Sequence, residues 1–137
     1  MKLVVLVFVA VLLLLQCFSP AARVPTSSGV EQFWDRTTII LYNRIGMMVT
    51  LHCKSKDDDL GIHVLEKDES WRFSFDPNFA FSTLFYGSFQ WGGETHDFDV
   101  YKQTREYMYK EIGWSVWTTG PCCSDPDQRI VCFTWNN

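Results

Sequence analysis

Short segments in which large apolar residues alternate with polar ones recur along most of this chain, and they restrict its fold more than any other feature. The clearest is residues 71–75, where Trp71, Phe73 and Phe75 alternate with arginine and serine. Successive side chains of a strand point to opposite faces, so this spacing predicts a half-buried β-strand. Similar segments span residues 38–42, 47–53, 62–65, 83–91, 96–101, 114–118 and 130–135.

The connections between these segments are short and contain turn-forming residues such as glycine, proline, asparagine and aspartate. Residues 102–112 are compatible with either a turn of helix or a loop, and no other stretch has a helical period. We therefore predict an all-β fold, an antiparallel sandwich or barrel of about seven or eight short strands.

The N-terminal residues have the pattern of a secretory signal peptide. Lys2 precedes an unbroken apolar run at residues 3–15, and small residues follow it up to Ala22. We expect residues 1–21 to be removed and the protein to be secreted. The apolar run is shorter than the ~20 residues that span a bilayer, so no membrane insertion is expected after cleavage. Residues 22–36 read as a flexible leader, and residues 37–137 as the folded domain.

Charge and cysteine content restrict the partners and the covalent links. The chain has 12 basic and 16 acidic residues, which argues against nucleic acid as a partner. Cys17 leaves with the signal peptide, and the four remaining cysteines include the adjacent pair Cys122 and Cys123. One bridge from Cys53 to the C-terminal cysteines is predicted rather than two, because neighbours bridge poorly. We expect a monomer, with a disulfide-linked dimer through Cys122 or Cys123 as the alternative.

Few residues suggest chemistry. His52 and His63 flank a polar segment, so a ribonuclease-like hydrolase is one alternative function. Exposed tryptophans binding glycans in a defence protein would be another. Asp57, Asp58 and Asp59 lack the alternate ligand spacing of a calcium loop, and no zinc spacing is present. We therefore predict no enzymatic activity, no metal and no cofactor.

One string is more specific than any of these patterns. Residues 52–61 read His-Cys-Lys-Ser-Lys-Asp-Asp-Asp-Leu-Gly, which resembles the hallmark of the plant self-incompatibility S-protein homologue family. Residues that resemble later blocks of the family follow in order at 71–75, 78–79, 83–91, 98–101, 114–116 and 132–135.

This resemblance implies a small secreted β-sandwich that acts as an extracellular ligand in cell–cell recognition, as in self-incompatibility during plant reproduction. It implies a cell-surface membrane protein or receptor as the partner. It also places the bridge between Cys53 and Cys132, with Cys122 as the alternative partner. Relatives usually have a cysteine at the position of Gly87 and its partner near residues 107–109, and this chain lacks both.

Binding residues of such ligands are expected on loops held by a rigid scaffold. The expected contact loops are residues 54–59, 66–70, 92–95 and 121–128. Within the first of these, the predicted partner-binding residues are Lys54, Lys56, Asp57, Asp58 and Asp59.

Overall fold

Two β-sheets packed face to face account for nearly all of the secondary structure in the computed structural model, which describes residues 36–125 and 127–136. The predicted signal peptide, and the leader up to residue 35, lie outside the described residues. The strands are β1 (Thr37–Asn43), β2 (Val49–Lys54), β3 (Asp59–Leu65), β4 (Ser70–Phe75), β5 (Leu84–Trp91), β6 (Glu94–Lys102), β7 (Glu111–Trp117), β8 (Gly120–Ser124) and β9 (Ile130–Cys132). A short helix, α1 (Gln103–Glu106), follows β6.

The strand orders are β4-β1-β7-β8-β9 in the five-stranded sheet and β3-β2-β5-β6 in the four-stranded sheet. The predicted all-β sandwich with a disulfide is confirmed. Adjacent strands are antiparallel except β1 and β7, which pair in parallel. Within the described residues, no helix has the length and hydrophobicity needed to cross a bilayer.

The core lies between the sheets and is made by the alternating residues that the sequence shows. Leu51 and Cys53 of β2 face Leu41 of β1 and Trp114 of β7 within one buried cluster. The indole Nε1 of Trp114 donates a hydrogen bond to the carbonyl oxygen of Val100 at 2.9 Å, so this fully buried ring leaves no polar atom unpaired.

One strand was missed by the sequence prediction. Residues 121–128 were expected to be a contact loop, but β8 occupies the first part of that range and lies between β7 and β9. Gly120 and Pro121 favour turns in isolation, and Pro121 cannot donate to a ladder. Its carbonyl instead accepts a hydrogen bond from the amide of Phe133 at 2.9 Å. Tertiary pairing therefore outweighs the local preference.

The predicted bridge from Cys53 to Cys132, or to Cys122, is wrong. The disulfide joins Cys122 to Cys132, which lie directly opposite each other on β8 and β9 with a Cα–Cα distance of 4.0 Å. Cys53 is fully buried in the other sheet as a free thiol, and this burial raises its pKa to about 12. Cys123 points to the opposite face from Cys122 and also keeps its thiol.

Asn43 connects the two sheets at the end of β1. It is 2% exposed, and its Nδ2 donates to the carbonyl oxygens of Met47, Leu65 and Glu66 at 2.8, 3.0 and 3.1 Å. Its Oδ1 accepts from the amide of Ile45 at 3.0 Å. One side chain thus fixes both the β1–β2 loop and the end of β3.

Strand direction divides the loops between two ends of the sandwich. At the front end, defined by residues 55–58, 76–83 and 103–110 and the β8–β9 connection, strands β2, β4, β6 and β8 finish. At the rear end, defined by residues 44–48, 66–69, 92–93 and 118–119, strands β1, β3, β5 and β7 finish. The four expected contact loops are therefore split between opposite ends and do not form one surface.

The disulfide assignment is testable by peptide mapping. Without reduction, trypsin should release residues 111–129 linked to residues 130–137, while the peptide carrying Cys53 stays alkylatable only after unfolding. Replacing Cys132 with alanine should lower the free energy of unfolding by about 2–3 kcal/mol, as expected for a loop of this length. Cys123→Ser is the matched control and should retain the linked peptide. A peptide containing Cys53 linked to residues 130–137 would contradict the assignment.

The role of Asn43 is testable by urea unfolding. Asn43→Ala removes the four hydrogen bonds of this side chain and takes its donor from the buried hydrogen bond to the Leu65 carbonyl, so unfolding should require about 2–4 kcal/mol less free energy. Thr38→Ala is a control on the same strand, because its hydroxyl bonds Ser74 Oγ at an exposed position. We expect this control to cost about 0.5 kcal/mol. Equal losses in the two variants would show that Asn43 has no special role.

Candidate functional site

The hallmark string forms the end of β2, a tight loop and the start of β3. The loop is only residues 55–58, shorter than the contact loop expected over residues 54–59, because Lys54 and Asp59 are paired strand residues. The amide of Ser55 donates to the carbonyl oxygen of Asp58 at 2.8 Å, and the Ser55 hydroxyl accepts from the amide of Asp58 at 3.1 Å. The register shifts between His52 and Lys54, which forms a bulge. The loop is therefore held in one conformation by its own polar groups.

Asp59 belongs to this internal framework. Its Oδ1 accepts the amide hydrogen of Gly61 at 2.9 Å and lies 2.6 Å from His52 Nε2, and its Oδ2 lies 3.8 Å from Lys54 Nζ. The Gly61 amide, followed by His52, lowers the pKa of Asp59 below its ordinary value. Gly61 has a φ of 79°, which a residue with a side chain adopts only with strain. Asp59 and Lys54 thus shape the turn.

Lys56, Asp57 and Asp58 are placed differently. All three side chains are exposed, and none takes part in the ion pairs found among residues 36–125 and 127–136. The structure therefore separates the five predicted binding residues into two that shape the turn and three that project into solvent. An exposed charge without an internal partner is available to an external one.

The three exposed residues line a groove of about 990 Å³ at the front end. One wall is the 55–58 loop with Leu60 of β3, and the other is the last part of β4 with Asp76 and Arg36. The groove is also lined by Phe73, Phe75, Asn78, Ser82, Thr83, Leu84, Phe85 and Tyr86. It thus has an aromatic floor and a charged rim, the composition usual for binding sites in proteins.

A loop held by hydrogen bonds borders this groove. Residues 76–83 are held by Gln103 of α1, which is 2% exposed. Gln103 Oε1 accepts from the amide of Thr83 at 3.0 Å, and its Nε2 donates to the carbonyl oxygen of Asn78 at 3.0 Å. Asn78 in turn receives the amide of Ser82 on Oδ1 at 3.1 Å. Polar contacts to the buried Gln103 thereby hold a loop whose outer side is open to solvent.

This loop presents aromatic side chains that the sequence prediction missed. Phe79 is 79% exposed and Phe81 is 39% exposed, and the ring of Phe81 contacts that of Tyr107 with centroids 6.0 Å apart. Phe81 has a φ of 55°, a left-handed conformation that is unfavourable for an aromatic residue. The Asp-Pro-Asn sequence at residues 76–78 predicts a loop, but it does not predict the hydrogen bonds that hold this loop in place.

The histidine pair of the alternative, ribonuclease-like function is not formed. His52 lies opposite Ile62, and His63 lies opposite Leu51, so the two rings project from opposite faces of the β2–β3 hairpin. His63 stacks on Trp71 with centroids 4.0 Å apart, and its Nε2 lies 2.8 Å from the carbonyl oxygen of Leu60. A ribonuclease-like site using both histidines is therefore wrong for this fold.

A glycan-binding surface gains little support from the structure. Of the tryptophans at described positions, only Trp117 is strongly exposed, at 46%. In the described ranges, no group of three histidine, cysteine or acidic residues is placed to hold a metal ion.

The structural role of Asp59 is testable through the pH dependence of stability. Because its pKa is lowered in the folded protein, its ionised form stabilises the fold above the usual carboxyl pKa of about 4. That contribution is lost as the pH falls through the lower folded value. Asp59→Asn should be less stable than the parent near neutral pH, and the difference should shrink towards about pH 3. Asp57→Asn is the isosteric control and should leave the thermal midpoint unchanged; an equal shift in it would contradict this assignment.

The fold has a counterpart among solved structures. It matches, with a TM-score of 0.58 and 12% identity, a structure described as that of self-incompatibility protein homologues, a widespread family of small, highly stable, secreted proteins from plants. The match covers 76% of this chain and 97% of the solved chain. At this identity the likeness establishes the sandwich fold.

Sequence comparison adds relatives of known family. The chain is 39% identical over 109 residues to S-protein homolog 5 of Arabidopsis thaliana, covering 78% of this chain and 84% of that protein. It is 36% identical over 127 residues to S-protein homolog 2 of the same plant, covering 85% and 79%. The profile of the family described as plant self-incompatibility protein S1 matches residues 38–135. The secretion predicted from the N-terminal sequence agrees with this family, and the chain belongs to the plant self-incompatibility protein S1 family.

Proposed function

We propose that this protein is a secreted ligand that binds a membrane protein on the surface of plant cells in cell–cell recognition. Residues 1–21 direct its export and are removed, and the domain of residues 37–137 then acts outside the cell as a monomer. Family membership supports a self-incompatibility type of recognition. No catalytic step is part of this proposal.

The observation that carries the proposal is the exposure of Lys56, Asp57 and Asp58 beside a hydrogen-bonded loop with an exposed Phe79. A hydrogen-bonded loop loses little conformational entropy when a partner binds. Aromatic side chains supply most of the apolar contact in protein interfaces, and charges at the rim direct the partner and its orientation. At the front end, the 55–58 loop and the loop that carries Phe79 border the same groove.

The rear end is a poorer candidate. Its β3–β4 turn is occupied by internal contacts, since Arg44 Nη1 pairs with Asp68 Oδ1 at 3.1 Å and the Glu69 carboxylate accepts the amide of Glu66 at 2.9 Å. The expected contact residues at 66–70 are therefore assigned no part in the primary surface, and residues 92–95 lie at the same rear end. The contact residues we propose are Lys56, Asp57, Asp58 and Phe79.

Binding to living cells tests this assignment. The mature protein carrying a fluorescent label should bind plant protoplasts saturably. The double variant Asp57→Lys, Asp58→Lys and the single variant Phe79→Ser should each weaken binding at least about tenfold while circular dichroism stays unchanged. The charge reversal leaves Asp59 intact, because reversing that residue would disturb the turn itself.

Glu66→Lys is the matched control, an exposed acidic residue at the rear end. It should bind as the parent does. Full binding by the front-end variants, together with lost binding by Glu66→Lys, would place the surface at the opposite end. No saturable binding to protoplasts of any plant tissue would overturn the ligand proposal as a whole.

A further inference from the structure

Strand β4 forms the edge of the five-stranded sheet, and it borders the groove. It pairs with β1 along one side, and no strand of the described residues pairs with its other side. Such an edge carries backbone amide and carbonyl groups that are free to bind an added strand. Residues 73–76, the front part of β4 and the residue after it, line the groove. The groove thus contains a template for strand addition as well as an aromatic floor.

The neighbouring sheet leaves room along this edge. β3 is the edge strand of the four-stranded sheet, and the stacked rings of His63 and Trp71 join it to β4 at the rear. Towards the front, the groove lies between Leu60 of β3 and Phe73 of β4. The sandwich is therefore closed by an aromatic contact at one end of β4 and open at the other.

The aromatic rings on the floor of the groove follow the two-residue spacing of a β-strand. Phe73 and Phe75 are two residues apart on β4, and both are half-buried. Their rings pack against Phe85 with centroid distances of 5.1 and 4.5 Å, and Phe75 also contacts Tyr101 at 4.7 Å. An extended segment beside β4 would place alternate side chains about 6.6 Å apart, which matches two successive rings of this floor.

The charges of the rim favour a basic side chain. Arg36 Nε lies 3.8 Å from Asp76 Oδ1, so these two opposite charges compensate each other. The remaining charged residues of the lining are Asp57, Asp58 and Lys56, in which carboxylates are in excess. A Lys or Arg of the occupant placed next to the 55–58 loop would be complementary to this excess.

We propose that the groove binds an extended segment of the partner protein as an additional strand on the edge of β4. Its alternate apolar side chains pack on Phe73 and Phe75, and a basic residue follows them beside Asp57 and Asp58. Main-chain hydrogen bonds supply affinity in this mode of recognition, while the alternate side chains supply specificity. This inference rests on the proposed function, because it names the part of the partner that the front end recognises.

A peptide selection tests the inference without knowledge of the partner. The probe is a library of random nine-residue peptides displayed on phage and selected against the mature protein. We expect enriched sequences with aromatic or aliphatic residues at alternate positions followed by Lys or Arg. Methylation of the backbone nitrogens on one edge of a selected peptide should weaken its binding at least about tenfold, since each methyl removes a main-chain hydrogen bond.

Charge reversal provides the second arm. Selection against Asp57→Lys, Asp58→Lys should enrich Asp or Glu in place of the basic residue, whereas selection against Glu66→Lys should give the parent's preference. Chemical-shift changes caused by a selected peptide should map to β4 and the 55–58 loop. Enrichment without a charge preference, binding insensitive to methylation, or shifts at another surface would overturn the inference.

A different occupant of the groove would give a distinct outcome. A concentration-dependent dimer that the charge reversal disrupts would assign the groove to a second copy of the chain. Peptide binding that arises only when residues 22–35 are removed would assign it to the leader. Either result overturns the inference. If no peptide is selected but protoplast binding still depends on Asp57 and Asp58, the strand-addition model fails while the ligand function stands. If no peptide is selected and the protein does not bind protoplasts either, the ligand function itself is rejected.

Discussion

The hydrogen bonds of Asn43 are the constraint on which the arrangement of the two sheets depends. Asn43 is the last residue of β1, in the five-stranded sheet. Its side chain donates to carbonyl groups in the β1–β2 loop, at the end of β3 and just after β3, so it joins the five-stranded sheet to the four-stranded one. The backbone of Asn43 also forms two hydrogen bonds with the β3–β4 turn. Its amide donates to the carbonyl oxygen of Glu69, and its carbonyl oxygen accepts from the amide of Asp68, each at 2.9 Å. Together these hydrogen bonds fix the position of the two sheets relative to each other at the rear end.

The rear end is further closed by the C-terminal segment. Trp135 donates its indole hydrogen to the carbonyl oxygen of Thr118 at 2.9 Å, and the amide of Asn136 donates to the carbonyl oxygen of Asp97 at 2.9 Å. The chain thereby crosses from one sheet to the other after β9. Since these contacts secure the sandwich at the rear, the front end can expose aromatic and charged side chains without loss of the fold.

Periodicity in the sequence identifies which residues are strands and which side chains face inward, as for Cys53 and the 71–75 segment. It does not give pairing register, and a shift of one residue reverses the face. His52 would share a face with His63 in a hairpin shifted by one position, but the observed register pairs it with Ile62. The observed register therefore excludes the two-histidine site that was considered only as an alternative.

The disulfide was predicted wrongly, and strand β8 was missed, for a related reason. Alternation correctly predicts that Cys53 faces the core, but a residue inside one sheet has no access to a cysteine on the outer face of the other. Cys132 forms its disulfide with Cys122 because β8 and β9 are adjacent. Strand β8 could not be recognised from the sequence, because Gly120 and Pro121 are typical of turns. The hallmark string could be recognised from sequence alone, whereas the division between Asp59 and its neighbours Asp57 and Asp58 required coordinates.

The front end is supported in different ways on β5 and after β6. Gly87 lies opposite Cys53, and a methyl group at Gly87 would lie 2.9 Å from the ring of Phe89, so close packing fills the space there. The segment after β6 is instead held by Arg105, whose guanidinium packs on Phe98, Trp114 and Phe133 at 5.1, 5.4 and 5.0 Å.

Arg105 also donates to the carbonyl oxygen of Asp99 at 2.5 Å and pairs with Glu106, which is 5% exposed. These contacts fix α1, and α1 carries Gln103, the residue that holds the 76–83 loop. Support for the exposed Phe79 therefore extends from an aromatic and cationic cluster in the core through one short helix. In this chain, side-chain packing and hydrogen bonds hold the segment next to residues 107–109.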